Sequence, residues 1–167
     1  MILVFVRHAS YHKPPSREDN RDAPLTEAGR EQAAAAGSYM ADLGLEPDLV
    51  ISTATRRTRK TAHNVLRALG AEQPVHIVPH GWRAGASREQ IEARVRQWIK
   101  FAPTAPETVL FCGHGVQLRS LMRAFSVEPV YGKRHGAVVV VEISDDPQQA
   151  LKLQQAQNTA PCFSEQD

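Results

Sequence analysis

Short runs of branched apolar residues with no polar alternation constrain this chain most. "ILVFV" (2–6), "LVI" (49–51) and "VLFC" (109–112) are too short to be helices of a globular core. A strand with one face in water alternates apolar and polar residues. A continuous apolar strand is covered on both faces, as in a parallel sheet with helices above and below. Between these runs lie segments with helical periodicity. "LTEAGREQAAAAGSYMADLG" (25–44) has Thr26 placed as an N-cap and Gly44 as a stop. In "TATRRTRKTAHNVLRALG" (53–70), Ala62, Val65, Leu66 and Leu69 share one face. "SREQIEARVRQWIKFA" (87–102) opens with the capping-box pair Ser87 and Gln90 and buries Ile91, Val95, Trp98 and Ile99. A third strand is expected at "PVHIVP" (74–79), a helix after "CGHG" (112–115), a strand at "GAVVVVEI" (136–143) and a returning strand within "ALKLQQAQN" (150–158). The pattern predicts an α/β protein: a three-layer α/β/α sandwich with a mostly parallel central sheet and helices on both faces.

The chain's 167 residues match one domain, read as 1–160 with a loose tail at 161–167. That is long enough for a core without disulfides or metal. Cys112 and Cys162 form no CxxC pair and read as reduced thiols. "MILVFV" is too short for a signal-peptide apolar region, and no stretch is long enough for a membrane span; the expectation is a soluble cytoplasmic protein without a membrane partner. Formal net charge is +2. The basic run "RRTRK" (56–60) and an isoelectric point near 8.7 lack the interleaved aromatics of a nucleic-acid surface, so no nucleic-acid partner is expected. Oligomeric state is left open.

In such a sheet, ligands bind beyond the carboxyl ends of the strands. The first strand delivers Arg7 and His8 there. The second delivers Ser52 and then the helix start with Arg56 and Arg57. The fourth delivers Gly113, His114 and Gly115. At about 100° per residue, Arg56, Arg59 and Lys60 face solvent, whereas Arg57 lies between them and the core and can reach the strand edge. "CGHGVQL" is not a dinucleotide fingerprint, because Leu118 stands where the third glycine belongs. The glycines flanking His114 allow close backbone approach to a ligand, and the helix beginning there favours an anion.

These residue types suit phosphoryl transfer. Guanidinium groups clamp phosphate oxygens in pairs, a neutral imidazole is a competent nucleophile, and neighbouring positive charge keeps it neutral. A second imidazole can donate to the developing charge. With this positive charge supplied by protein, no metal and no cofactor is expected.

The blocks "VRHA", "PLTEAGREQA", "STATRRTRKTA" and "CGHG" resemble, in this order, the four signatures of the histidine phosphatase (phosphoglycerate mutase-like) superfamily, covering residues 2–125. The resemblance implies a phosphoglycerate mutase-like fold and a phosphohistidine intermediate on His8. Arg7 and Arg57 would clamp phosphate, His114 would complete the pocket and Ser52 would support it by hydrogen bonding. Ser10 and His80 join Arg7, Arg57 and Ser52 as substrate-binding candidates. Many members place a glutamate after the third strand as proton donor. Here "VPHGWRAGAS" (78–87) holds no acid, leaving His80 or Glu89 as alternatives. In compactness and in this lack, the chain is similar to the SixA-type phosphohistidine phosphatases. The partner this implies is a phosphorylated substrate: a protein phosphohistidine first, a small phosphate ester as the alternative, with mutase activity disfavoured for want of insertions. Acyl and aryl phosphates would share the leniency toward a missing acid. A phosphate-binding regulatory module without catalysis is the reading from another class. The loop 9–24, with His12, Lys13, Arg17 and Arg21, is the expected specificity element, or else an ordinary solvated loop.

Overall fold

The computed structural model describes residues 1–15, 18–127, 134–143 and 154–155. Arg17, Cys162 and the expected tail at 161–167 lie outside the described residues. In chain order the elements are β1 (Ile2–Arg7), a 3-10 helix (Glu18–Arg21), α1 (Glu27–Asp42), β2 (Leu49–Thr53), α2 (Arg56–Leu69), β3 (Val75–Val78), α3 (Arg88–Ile99), β4 (Thr108–Gly113), α4 (Gly115–Ala124), β5 (Val138–Glu142) and β6 (Gln154–Gln155). The sheet order is β3-β2-β4-β1-β5-β6. β1, β2, β3 and β4 run parallel, while β5 lies antiparallel to β1 and β6 antiparallel to β5. The two residues of β6 fall within the stretch expected to pair back. The fold is the expected α/β architecture, with a mostly parallel central sheet covered on both faces.

The central strands are apolar throughout because both sheet faces are covered. On β1, Leu3 and Phe5 enter a core with Trp82, Ile91, Val95, Trp98, Phe111, Leu118 and Leu121, so α3 and α4 cover that face. Val4 and Val6 enter the opposite core with Ala33, Ala36, Met40, Ala62, Val65 and Leu110, under α1 and α2. Side chains alternate along a strand, so one unbroken run feeds both cores.

The helix ends follow the expected chemistry. Thr26 Oγ1 accepts from the Gly29 N–H at 3.0 Å, and Gly44 lies beyond the α1 C-cap with φ +66°. Ser87 and Gln90 close the capping box of α3. Two glycines in α1 let its backbone approach its neighbours. A Cβ on Gly37 would stand 2.5 Å from the Val65 carbonyl oxygen of α2, and one on Gly29 would stand 2.0 Å from the Ser10 carbonyl oxygen. The second contact lies two residues from His8.

Gly29→Ala must therefore push α1 away from the Ser10 backbone. We expect a loss of about 1–3 kcal/mol in stability, the usual cost of overpacking, read as a lowered denaturant midpoint at unchanged slope.

Candidate active site

β1 ends with its backbone held on every side. The Arg7 N–H donates to Ala137 O at 2.9 Å and the His8 N–H to Gly113 O at 2.9 Å. Just beyond the strand, the Ala9 N–H donates to Thr61 Oγ1 of α2 and the Ser10 N–H to Gln32 Oε1 of α1, both at 2.9 Å. The expected residues do converge here: His8 lies with its ring centroid 5.3 Å from that of His114.

His8 is 6% exposed. Its Nδ1 lies 3.1 Å from the Ala9 carbonyl oxygen. A carbonyl only accepts, so Nδ1 carries the proton and Nε2 keeps its lone pair. Burial pushes the pKa down to about 2, against the Ala9 hydrogen bond, with His114, Arg57 and His135 acting in the same direction as burial. The imidazole is thus neutral at physiological pH.

His114 is the N-cap residue of α4 and its backbone N–H donates to Gln117 Oε1 at 2.9 Å. Its Nε2 is 3.0 Å from Thr53 Oγ1. The Thr53 hydroxyl donates to Thr58 Oγ1, which itself donates to the Thr53 carbonyl. This chain leaves Thr53 Oγ1 to accept from His114 and so orders its imidazole. Burial, then Arg57 and Arg7, lower the His114 pKa to about 4.

Arg57 stands in the first turn of α2, half-buried, while Arg56, Arg59 and Lys60 are exposed as the wheel required. Its Nη1 donates to the Asn20 carbonyl at 2.6 Å and its guanidinium lies 4.8 Å from the centre of the Tyr11 ring. Arg57 Nε is buried without an acceptor among the described residues. A buried donor of this kind is costly unless an acceptor arrives.

Several residues fall elsewhere than expected. Ser52 is fully buried and donates to the Thr53 carbonyl at 3.0 Å, and it is Thr53 that supports His114. The flanking glycines make room for side chains rather than for a ligand. A Cβ on Gly115 would stand 3.2 Å from Arg7 Nε, and one on Gly113 would stand 2.6 Å from Gln117 Oε1. Glu89 accepts from Ser87 at 2.7 Å, a bond that keeps its pKa below the usual carboxylate range, and it does not line the cleft beside His114. His80 is exposed and does line that cleft.

His135 is the residue missed. Its Nε2 lies 3.3 Å from Arg7 Nη2 and its Nδ1 3.4 Å from Ser10 Oγ, with its ring 5.1 Å from that of His8. Arginine only donates, so Nε2 accepts and Nδ1–H donates to Ser10. Burial, then Arg7 and Arg57, lower its pKa to about 4. The signal was available in direction. Val6 pairs with Val138, so an antiparallel β5 begins where β1 ends, and His135, three residues before it, lands at the same edge. Tyr11, whose ring is 5.4 Å from that of His8, was likewise hidden in the loop.

Two imidazoles meet edge-on at the carboxyl edge of the sheet near Arg7 and Arg57, an arrangement whose charge suits an anion. Residues 3–81 match the model of the histidine phosphatase superfamily (branch 1). The chain is 25% identical over 164 residues to a 2,3-bisphosphoglycerate-dependent phosphoglycerate mutase of Bartonella tribocorum, spanning 73% of this chain and 80% of that protein. It is 27% identical over 178 residues to the mitochondrial serine/threonine-protein phosphatase Pgam5 of Drosophila willistoni, spanning 90% of this chain but 60% of that protein. The solved tungstate complex of the protein histidine phosphatase SixA superposes with a TM-score of 0.68 at 15% identity, covering 86% of this chain and 89% of that one. The family model thus matches just under half of the chain, and the superposition on SixA shows a shared fold. Among the described residues, no helix is long and apolar enough to cross a membrane.

The three lowered imidazoles also set a pH dependence of stability. Unfolded, each takes up a proton near pH 6.5; folded, His114 and His135 resist until about 4 and His8 until about 2. The unfolded chain thus binds more protons below pH 6.5, and the stabilisation present above that value is lost as pH falls. We expect the urea midpoint to drop between pH 7 and 4, and the slope to shrink in His135→Asn.

Proposed function

We propose that the chain is a metal-independent phosphatase that works through a covalent phosphohistidine on His8. The observation that carries this reading is the His8 ring itself: buried, neutral, with Nδ1–H tied to Ala9 and an Nε2 lone pair. Nε2 attacks phosphorus in line with the leaving group. The N–P bond forms as the bond to the leaving group breaks, and the leaving group departs with the electron pair. Arg7 and Arg57 hold the equatorial oxygens, and the His114 Nε2–H, which rests on Thr53 Oγ1, turns to donate to the charge that develops there. Water then attacks phosphorus, the N–P bond breaks, and inorganic phosphate leaves with His8 neutral again. His135 acts through Arg7: its Nε2 accepts from Nη2 and fixes the plane of the guanidinium.

The favoured substrate is a phosphoramidate, a phosphohistidine on a protein. Two observations support it. The cleft beside His114, about 480 Å³, is lined by Arg21, His80, Arg83 and Arg94 and by no Asp or Glu among the described residues. Glu89 is occupied by Ser87. A leaving imidazole that carries its own proton departs without a positioned acid, whereas an alkoxide requires one. The small-ester reading rests on His80, which is exposed in that cleft and could serve as the acid.

His8→Asn should lower turnover of an aryl phosphate by about 10³-fold or more, and acid quench of the wild type should trap phosphoenzyme. Retained turnover in the variant, or no trapped intermediate, sinks the covalent route. EDTA should leave the rate unchanged. Rates across aryl phosphates should fall steeply with leaving-group pKa, and His80→Ala should not steepen them. A shallow dependence that steepens in His80→Ala would instead establish the ester reading.

His135→Asn keeps an acceptor for Arg7 and should retain most of the activity. His135→Ala should raise KM for the phosphoryl substrate and lower kcat, by about 10-fold together in kcat/KM. If both variants lose activity equally, His135 does more than orient Arg7.

A further inference from the structure

The cleft beside His114 does not end at the phosphoryl pocket. It shares Gly81, Trp82, Arg83 and Arg94 with a second cavity of about 300 Å³, which runs on along α3 past Gln90, Ala93 and Gln97. Three arginines from three separate elements border the larger cavity: Arg21 from the 3-10 helix, Arg83 from the segment after β3 and Arg94 from α3. The ion pairs of the described residues use Arg30, Arg88 and Arg96, and none of these three. Arg94 donates only to the neutral Gln97, at 3.1 Å. No described Asp or Glu lines either cavity. In a chain of net charge +2, such a concentration of guanidinium groups with no ion pair among the described residues is a local feature of one groove, not a reflection of composition.

The floor of the groove is built rigidly. Trp82 is 6% exposed and its Nε1 donates to the Gln117 carbonyl at 2.8 Å. Gly81 has no room for a side chain, since a Cβ there would meet Gln117 Nε2 at 2.5 Å and Phe111 at 2.7 Å. Gln117 also accepts from the His114 backbone. Gln117 therefore holds both the groove floor, through its carbonyl, and the His114 backbone, through its side chain. The cleft reaches His114, whose ring lies 5.3 Å from that of His8, so a substrate held at His8 can extend into the groove.

We propose that this groove binds a protein segment bearing carboxylates next to the phosphorylated side chain, with Arg83, Arg94 and Arg21 reading those charges. The inference rests on the phosphatase reading above for the position of the phosphoryl group. Two linked cavities along a helix suit an extended segment better than one compact metabolite. The charge asks for acidic neighbours, and exposed pairs of this kind select by complementarity and by attraction during encounter.

The test uses phosphohistidine peptides of equal length, one with Glu at the positions flanking the phosphorylated residue and one with Gln there. Binding is measured by fluorescence anisotropy on His8→Ala, which cannot turn them over. The Glu peptide should bind about tenfold tighter at low salt, the advantage should shrink as ionic strength rises, and Arg83→Gln/Arg94→Gln should abolish it. Equal binding of the two peptides, or a preference that survives the double variant, overturns the proposal. If only 2-carboxyphenyl phosphate, and not the Glu peptide, gains from the arginines, the groove serves a small anionic substrate and the protein reading falls. Because binding is read without turnover, a failure of the covalent route leaves this result standing on its own.

Discussion

The site depends on the backbone of four residues, Arg7 to Ser10, being fully engaged from four directions. β4 takes the His8 N–H, and the turn before β5 takes the Arg7 N–H and returns the Gly136 N–H to the Arg7 carbonyl at 3.2 Å. α2 holds Ala9 through Thr61, and α1 holds Ser10 through Gln32 and through the Thr26 N–H at 3.1 Å. A strand end would ordinarily fray into its loop. Here β4, the turn before β5, α1 and α2 all contribute bonds that prevent it, so the alternation of β1 persists one residue past the sheet. Arg7 then turns toward Gly115 at the start of α4 and His8 continues the side of Val4 and Val6. Groups held in place before a ligand arrives need no reorganisation when it does.

Such an arrangement carries an electrostatic cost. His8, His114 and His135 are all pushed toward neutrality, first by burial; Arg57 adds to this on all three, Arg7 on His114 and His135, and those two imidazoles on His8. Arg57 is itself lowered by burial, with Tyr11 acting against it. Arg57, whose described partners are a carbonyl and a ring face rather than a carboxylate, is placed as at a site whose counter-charge is the ligand. The fold compensates partly. The Asn20 carbonyl and the Tyr11 ring face give Arg57 dipoles rather than charges, which satisfy it without neutralising it.

Much of this was legible before the structure, for reasons that are local. The doubly covered strands announce themselves because no polar residue interrupts them, and Thr26 and Ser87 mark helix starts because their hydroxyls answer orphaned N–H groups. Arg57 could be separated from its basic neighbours because helical geometry alone decides which of them turns inward. What stayed hidden depended on pairing direction and on partners distant in sequence. His135 is 128 residues from Arg7, and only an antiparallel β5 brings them together. Ser52 and Thr53 are adjacent on β2 and point to opposite faces, so the choice between them depends on which face meets His114. The glycines around His114 read as space for a ligand, yet the space is filled by Arg7 and Gln117.

The missing acid and the basic groove are one physical matter on the proposed reading. A leaving group needs either a proton or a place where its negative charge is tolerated. The cleft next to His114 offers no described carboxylate to supply the first, and Arg83, Arg94 and Arg21 supply the second. A field of guanidinium groups beside it lowers the pKa of any departing group within reach. The same charges then draw an acidic segment into the groove and ease the departure of what that segment carries. A chain that lost its acid while keeping these arginines would therefore not become inert; its chemistry would narrow to substrates that are anionic around the phosphoryl group and leave readily from it.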